Sequence, residues 1–366
     1  MSIALVTLAK KLKTMKILRL VGIVLLAAII FFGLFLIYST LTCYKPEPKE
    51  IISENTNADT VPYNTPLNII SWNIGYAGLG NNMDFFYDSG KKVRDTYDRT
   101  LTNLDSISTT LSKHLTYNFF LLQEVDIESR RTYSINEVET ITKKVNYYNA
   151  FAPNYIAKFV PIPPTNPMGG VYSGLLSISN YTPTISIRYQ YPGSFGWPSR
   201  IFNLKRCMLV NRYPTKDGKE LILINSHLSA FDDGSLKKQE MDFVKLFILE
   251  EYSKGNYVVV GGDWNQSPPK FSLTTFGSNY KVDFFILSNV DSTFMPKEWH
   301  WVYDKTAPTN RYLNEPYQKG KTFRSILDFF LASPNIEVVS NKTIDLEFAN
   351  SDHNPVTMCF QLKKQE

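Results

Sequence analysis

The first 44 residues contain no acidic side chain, and from Leu20 to Tyr44 there is no charged one at all. An uncharged stretch of this length cannot be the wetted surface of a domain, and Leu20 to Tyr38 is almost wholly apolar. As a helix, that run would span about 28 Å, close to the thickness of a bilayer core. Lys10, Lys11, Lys13, Lys16 and Arg19 precede it, so residues 1–19 are expected in the cytoplasm and everything after the span outside. The apolar run exceeds the core of a signal peptide, and no small-x-small cleavage site follows it. Thr40-Leu41-Thr42 is also a poor lipoprotein cleavage site before Cys43, so residues 20–44 are expected to be an uncleaved transmembrane anchor.

Cysteine is scarce. Three are present, with no pairing pattern, which excludes a disulfide framework and leaves Cys207 and Cys359 as buried thiols in strand-like segments. An outward domain without disulfides suits a bacterial surface, as does the sequon Asn265-Gln-Ser, where a glycan would block a motif discussed below. A basic domain surface is missing too. The net charge is +5, but five of the 39 basic residues and none of the 34 acidic ones lie before residue 45, so the remainder is neutral. Overall charge therefore gives no support for a nucleic-acid partner. There is no G-x-S-x-G elbow, P-loop or H-E-x-x-H. With four histidines and no His or Cys cluster at ligand spacing, zinc chemistry is disfavoured.

What is present, after a polar linker expected over 45–65, is a series of short apolar strands in a domain expected over 66–366. Tyr257-Val-Val-Val260 reads as a buried strand that two glycines then stop, letting the backbone come close to a neighbour. Asp263 and Asn265 follow at i and i+2, facing one way in extended chain. Leu67–Trp72 and Phe119–Gln123 read as strands ending on Asn73 and Glu124. Between them Leu101, Leu104, Ile107, Leu111 and Leu115 form a helical stripe. The glycines of residues 73–80 lack the G-x-G-x-x-G spacing of a dinucleotide loop. A further helix is expected near 135–146, and Val171–Ile178 and Thr184–Tyr189 read as neighbouring strands. Arg206–Val210 and Leu221–Asn225 bracket Lys216-Asp-Gly218 as a hairpin that runs into His227. A helix from Ser235 to near Gly255 follows, with Phe243, Val244, Phe247 and Ile248 on its inner face. After an irregular region, Ser325–Leu331 is a strand containing Asp328, and Asp352-His353 precede the last strand, Pro355–Leu362. Many strands with few helices suggest two sheets packed face to face with helices outside.

Acids, amides and two of the four histidines thus gather at strand ends. Each alone is an ordinary strand end, cap or core histidine; His114 and His300 are read in that way. Together, carboxylates and amides suit a hard cation such as Mg²⁺ that leaves room for water and phosphate, and two histidines can manage protons and developing charge. Phosphoester hydrolysis needs that set.

The ordered motifs Trp72-Asn73, Leu122-Gln-Glu124, Tyr172-Ser-Gly174, Ser226-His227, Gly262-Asp-Trp-Asn265, Leu327-Asp328 and Ser351-Asp-His353 resemble the endonuclease/exonuclease/phosphatase superfamily. That group includes deoxyribonuclease I, abasic-site endonucleases, neutral sphingomyelinases and inositol-polyphosphate phosphatases. The match runs over residues 67–362. The resemblance implies an α/β fold, a four-layer α-β-β-α sandwich of two mixed sheets, here preceded by one transmembrane helix. It further implies a hydrolase using Mg²⁺, or Mn²⁺, held by Glu124 with Asn73 and Asp352. Asp263 would orient or activate water and Asn265 would bond the phosphate. His353, held by Asp328, would contact phosphate or act as base. His227 would stabilise the transition state or protonate the leaving oxygen, and Tyr172 would contact phosphate.

The segment Phe323-Arg-Ser-Ile-Leu-Asp328 lacks the block typical of the inositol phosphatases. The expectation is therefore a membrane-anchored, extracytoplasmic phosphodiesterase acting on a phospholipid such as sphingomyelin. An extracellular DNA or RNA nuclease and an inactive surface binding module are the alternatives. Tyr189, Tyr191, Phe195 and Trp197 suit either a membrane interface or the cover of a sheet edge. No protein partner is evident.

Overall fold

The computed structural model describes residues 2–230, 234–277 and 287–364. Part of the expected irregular stretch, residues 278–286, lies outside the described residues. The chain begins with helix α1 (Ser2–Leu41), strand β1 (Lys49–Glu54), β2 (Leu67–Asn73), helix α2 (Tyr97–Ser112) and β3 (Phe119–Asp126). Next come α3 (Glu137–Lys144), β4 (Tyr148–Val160), β5 (Gly169–Ser179), β6 (Ile185–Gln190), β7 (Cys207–Pro214) and β8 (Glu220–His227). They are followed by α4 (Ser235–Ser253), β9 (Tyr257–Asp263), β10 (His300–Val302) and the short β11 (Asn310–Arg311) and β12 (Arg324–Ser325). Then β13 (Asp328–Ala332), β14 (Ile336–Thr343) and β15 (Val356–Leu362) complete the chain.

The strands form two mixed sheets, ordered β1-β6-β7-β8-β9-β13-β10 and β14-β15-β2-β3-β5-β4. Each contains one parallel pair, β8 with β9 and β2 with β3, bridged by α4 and α2 respectively. Side-chain alternation explains the layering. On β9, Tyr257 and Val259 join Ile69, Leu121 and Leu223 between the sheets, whereas Val258 and Val260 join Val244 and Ile248 under α4. On the far side Leu104, Ile107 and Leu111 of α2 cover Ile70 and Phe120. Each such fully buried aliphatic side chain contributes about 1.5–3 kcal/mol. The result is the expected four-layer sandwich. Leu101 and Leu115 of the expected α2 stripe are exposed, because the helix has turned them off the buried face and ends at Ser112.

A buried polar bridge joins the sheets behind the site. Gln123 donates to Asn225 Oδ1 at 2.7 Å, and Asn225 donates to the carbonyls of Leu122 and Leu176, both at 3.1 Å. All of it is buried, so the bridge fixes the relative slide of the two parallel pairs just behind their C-terminal ends.

Three expectations need correction. Residues 45–65 are not only a linker, because β1 pairs antiparallel with β6 at the edge of the seven-stranded sheet. The segments read as neighbouring strands, β5 and β6, belong to different sheets. The turn between them carries the chain from one sheet to the other. Gly261 and Gly262 do not stop β9, which continues to Asp263. They admit a close neighbour: a Cβ on Gly262 would lie 1.8 Å from the Ser226 carbonyl oxygen of β8.

Candidate active site

The four strand ends converge. Parallel pairing puts His227 directly beside Asp263, and the antiparallel partner β13 puts Asp328 on the other side of Asp263. In the facing sheet β2 ends at Asn73, level with Gln123 of β3. Glu124 sits in a bulge where β3 slips against β5, with φ +54°. The bulge turns its carboxylate out of the ladder, as bulges beside active sites often do. Ser351 donates to the Asn73 carbonyl at 2.8 Å and accepts from His353 N–H at 3.1 Å, fixing the Asp352-His353 turn against β2.

Asp263 is the centre. Its Oδ2 accepts from Asn73 Nδ2 at 3.1 Å and lies 3.4 Å from His227 Nε2 and 3.7 Å from His353 Nε2. Its Oδ1 accepts the Asn265 N–H at 2.9 Å. Asn73 Nδ2 also donates to Glu124 Oε1 at 3.3 Å, and its Oδ1 accepts from Gly75 N–H. Asn73 therefore bridges two carboxylates as a donor. Asn265 donates to the Leu228 carbonyl at 2.8 Å, which holds its amide at the cleft wall.

The two histidines differ in charge. Burial lowers the pKa of His227 far below the usual range, helped by Arg206 and His353, so its ring is neutral. Burial also opposes charge on His353, but Asp328, Asp352 and Asp263 outweigh it and push that pKa well up. Its Nδ1 is 2.7 Å from Asp328 Oδ2. Asn310 Nδ2 is 3.0 Å from its Nε2, and with the ring charged the amide oxygen is the partner that fits. Asp328 N–H and Leu327 N–H both donate to Thr309 Oγ1, which locks the acid in place.

Glu124, Asp263, Asp352, His227, His353 and Asn265 line one cavity of about 430 Å³. Asn73 and Asp328 stand behind them and orient them. Tyr172 does not take part. Its neighbour Ser173 lines the cavity, and alternation along β5 turns Tyr172 to the opposite face, where its ring meets Phe151 edge-on at 6.1 Å. The cleft tyrosines are Tyr76, Tyr87, Tyr155 and Tyr312. Tyr76 has a buried hydroxyl without a partner and lies under the Arg131 guanidinium at 3.6 Å.

Several cleft residues escaped the sequence reading. Arg131 forms two 2.9 Å bonds with Asp126 and bears on Glu124, whose carboxyl burial pushes up and Arg131 pulls back. Arg206 donates to the His227 carbonyl, and Arg311 donates to the carbonyls of Leu79, Gly80 and Met83. Asp88 has its pKa pushed up to about 7, by burial first and then by Asp352. None of these sits in a strand-end motif, so no pattern singled them out. A second cavity of about 460 Å³ beside α4 is lined by Lys237, Lys238 and Lys245 and holds neither histidine.

The set fits a divalent cation. Glu124, Asp263 and Asp352 face one cleft, and the nearby arginines are already engaged, so a mobile cation would relieve their mutual repulsion. The closest ligand atoms are those of Asp263, Asp328 and His353, all within 4.8 Å of one another. There, however, the Asp328–His353 bond already occupies Nδ1 and one Asp328 oxygen, and the raised pKa of His353 keeps its ring protonated. Glu124 and Asp352 keep oxygens open to the cleft and are the better pair.

The sequence matches the model of the Endonuclease/Exonuclease/phosphatase family over residues 70–353. No curated protein matches the chain. Among solved structures, an endonuclease/exonuclease/phosphatase from Beutenbergia cavernae has a TM-score of 0.54 at 16% identity, covering 81% of this chain and 72% of that one. One from Leptotrichia buccalis has a TM-score of 0.52 at 14% identity, covering 81% and 100%. ANGEL2, a 2′,3′-cyclic phosphatase solved with adenosine-2′,3′-vanadate, has a TM-score of 0.53 at 13% identity, covering 83% and 98%. At such identities these likenesses speak to the fold, whereas the family model spans most of the sequence. The chain belongs to the endonuclease/exonuclease/phosphatase family, whose members hydrolyse phosphoester bonds.

Proposed function

We propose that this protein is a membrane-anchored, extracytoplasmic phosphodiesterase that uses a divalent cation, Mg²⁺ or Mn²⁺, and acts on a phospholipid such as sphingomyelin. One observation carries the reading: three carboxylates and two differently charged histidines meet in a single cleft. Glu124 and Asp352 would hold the cation, with Asn73 steadying Glu124. When bound, the cation supplies charge against the phosphate oxygens and positions water. Asp263 accepts the proton of the attacking water, whose oxygen forms the new bond to phosphorus as the ester P–O bond breaks. His353 gives its proton to the leaving oxygen; its Nε2 lies 3.7 Å from Asp263, so the proton can return between turnovers. Neutral His227 keeps Nε2 toward Asp263, and Asn265 presents its amide to the phosphate.

A nuclease is the second reading, favoured by Arg131, Arg206 and Arg311 in the cleft. Their bonds to Asp126 and to backbone carbonyls leave few donors for a tract of nucleic-acid backbone. No lysine lines the cleft among the described residues. The test offers the full-length protein DNA, RNA, sphingomyelin and a chromogenic phosphodiester, each with Mg²⁺ or EDTA. Turnover of none, or turnover indifferent to EDTA and to Asp263→Ala, would sink the proposal.

A further inference from the structure

The end of α1 does not simply lead to the domain. Phe35 stacks on Phe202 with ring centroids 5.8 Å apart and planes 6° from parallel, and it meets Phe159 edge-on at 6.2 Å. Trp197 donates its indole N–H to Thr40 Oγ1 at 3.2 Å. Only seven residues separate α1 from β1, and Tyr44 among them lies by the Arg188 guanidinium at 5.8 Å. The helix end is docked.

The segments that grip the helix also form the cleft mouth. Ile162 lies just past Phe159, Phe195 and Ser199 flank Trp197, and Leu204 follows Phe202; all four line the catalytic cavity. The mouth is apolar and uncovered there, with Phe159 and Ile162 each 38% exposed and Trp197 56%. Tyr189 and Tyr191, grouped with these rings on sequence, behave otherwise. Tyr189 packs on Phe247, and the buried Tyr191 bonds Ser226.

Depth follows from helix geometry. With the apolar run Leu20–Tyr38 centred in the hydrocarbon, Phe35 lies about 9 Å from the midplane and about 6 Å inside the hydrocarbon edge. Its ring contacts carry Phe159 and Phe202 to the same depth, which matches the 5–10 Å insertion of interfacial apolar groups. Trp197, held at Thr40, falls at headgroup level, where indole is favoured. Lys158 and Arg200 are exposed on the same rim, positioned for lipid phosphates.

We infer that the Phe159–Trp197–Phe202 rim is seated in the outer leaflet, so that the catalytic cleft opens onto the membrane holding α1 and takes lipid phosphodiesters from it. This deepens the proposed function and rests on its anchor and its phosphodiester chemistry. A domain neutral outside the N-terminal basic cluster, with cleft arginines already bonded to Asp126 and to a backbone carbonyl, fits a single headgroup better than a tract of nucleic acid.

The test uses the full chain in vesicles of phosphatidylcholine and sphingomyelin, with bis(p-nitrophenyl) phosphate as a soluble diester. Trp197→Ser and Phe159→Ser should each cut release of the phosphorylated headgroup at least tenfold and leave the soluble diester rate unchanged. Brominated phosphatidylcholine should quench tryptophan emission in the parent and much less in Trp197→Ser. The other four tryptophans are at most partly exposed, and Trp301 packs on Trp264 and Phe329. Equal loss on both substrates, hydrolysis of only the soluble diester, or faster cutting of duplex DNA than of vesicle lipid would overturn the inference while leaving a phosphodiesterase. Absent quenching in the parent would overturn the membrane contact whatever the rates. Hydrolysis of neither substrate would instead refute the phosphodiesterase reading beneath it.

Discussion

Gly262→Ala should be among the most damaging small substitutions in this protein. The added methyl would sit 1.8 Å from Ser226 O and 2.8 Å from Ser226 C, both backbone atoms. No side chain can move to accommodate it, so β8 and β9 must part by more than about an ångström for ordinary contact. Two or three ladder bonds near the Ser226–Gly262 and His227–Asp263 pairs would weaken, costing about 1 kcal/mol each. The φ of +149° adds backbone strain for alanine, about 1–2 kcal/mol. The total is roughly 3–5 kcal/mol, or a melting temperature lower by about 6–10 °C in a domain of this size. Because His227 and Asp263 sit on the separated strands only 3.4 Å apart, turnover should fall more than stability alone requires. Calorimetry in lipid nanodiscs and a soluble-diester assay at 20 °C read the two effects separately. Gly218→Ala is the control: its φ is +77°, but nothing lies within 4 Å, so only about 1 kcal/mol should be lost. A Gly262→Ala protein that melts within 2 °C of the parent and turns over normally would refute the close-approach account.

Other consequences are testable by the same means. Asn225→Leu takes one of three acceptors from Gln123 Nε2 and a donor from two backbone carbonyls between the sheets and should cost about 2–3 kcal/mol by denaturant titration; a loss under 1 kcal/mol would mean the bridge is dispensable. Asp328→Asn removes the main partner that holds His353 charged, so the limb of the pH–rate profile assigned to His353 should move to lower pH, with turnover falling about 10- to 100-fold. An unmoved limb would remove His353 from the proton path. Asp88 has a folded-state pKa of about 7 against an ordinary value near 4. The folded state therefore holds the extra proton, and this group's contribution to stability falls as pH rises from about 4 through 7. In EDTA, Asp88→Asn should match the parent at pH 4 and be more stable at pH 8; equal stability at both would contradict the burial of Asp88.

The two sheets and most of the site were legible because their signals are local. Runs such as Tyr257–Val260 and Phe119–Leu122 can only be buried strands, and acids or amides at their ends announce themselves. What was hidden depends on partners distant in sequence. The edge strands β4, β14 and β1 carry prolines, lysines and half-exposed faces, so they lack a strand pattern, and β1 reads as linker until β6 is beside it. Tyr172 was assigned by motif, and a one-residue alternation along β5 put Ser173 in the cleft instead. Arg131, Arg206, Arg311 and Asp88 reach the cleft from loops and strand starts with no periodicity. The docking of Phe35 on Phe202 joins segments more than 160 residues apart, and composition alone could say only that aromatic rings were available.

The central claim is that Glu124 anchors the cation on which phosphodiester hydrolysis depends. The direct measurement is the rate of soluble-diester hydrolysis against Mg²⁺ concentration for the parent and for Glu124→Gln, both as full-length protein in nanodiscs. The account predicts a saturable Mg²⁺ dependence in the parent, no turnover in EDTA, and half-saturation at least tenfold higher in Glu124→Gln. Metal-independent turnover, or an identical Mg²⁺ response in the two proteins, would contradict it.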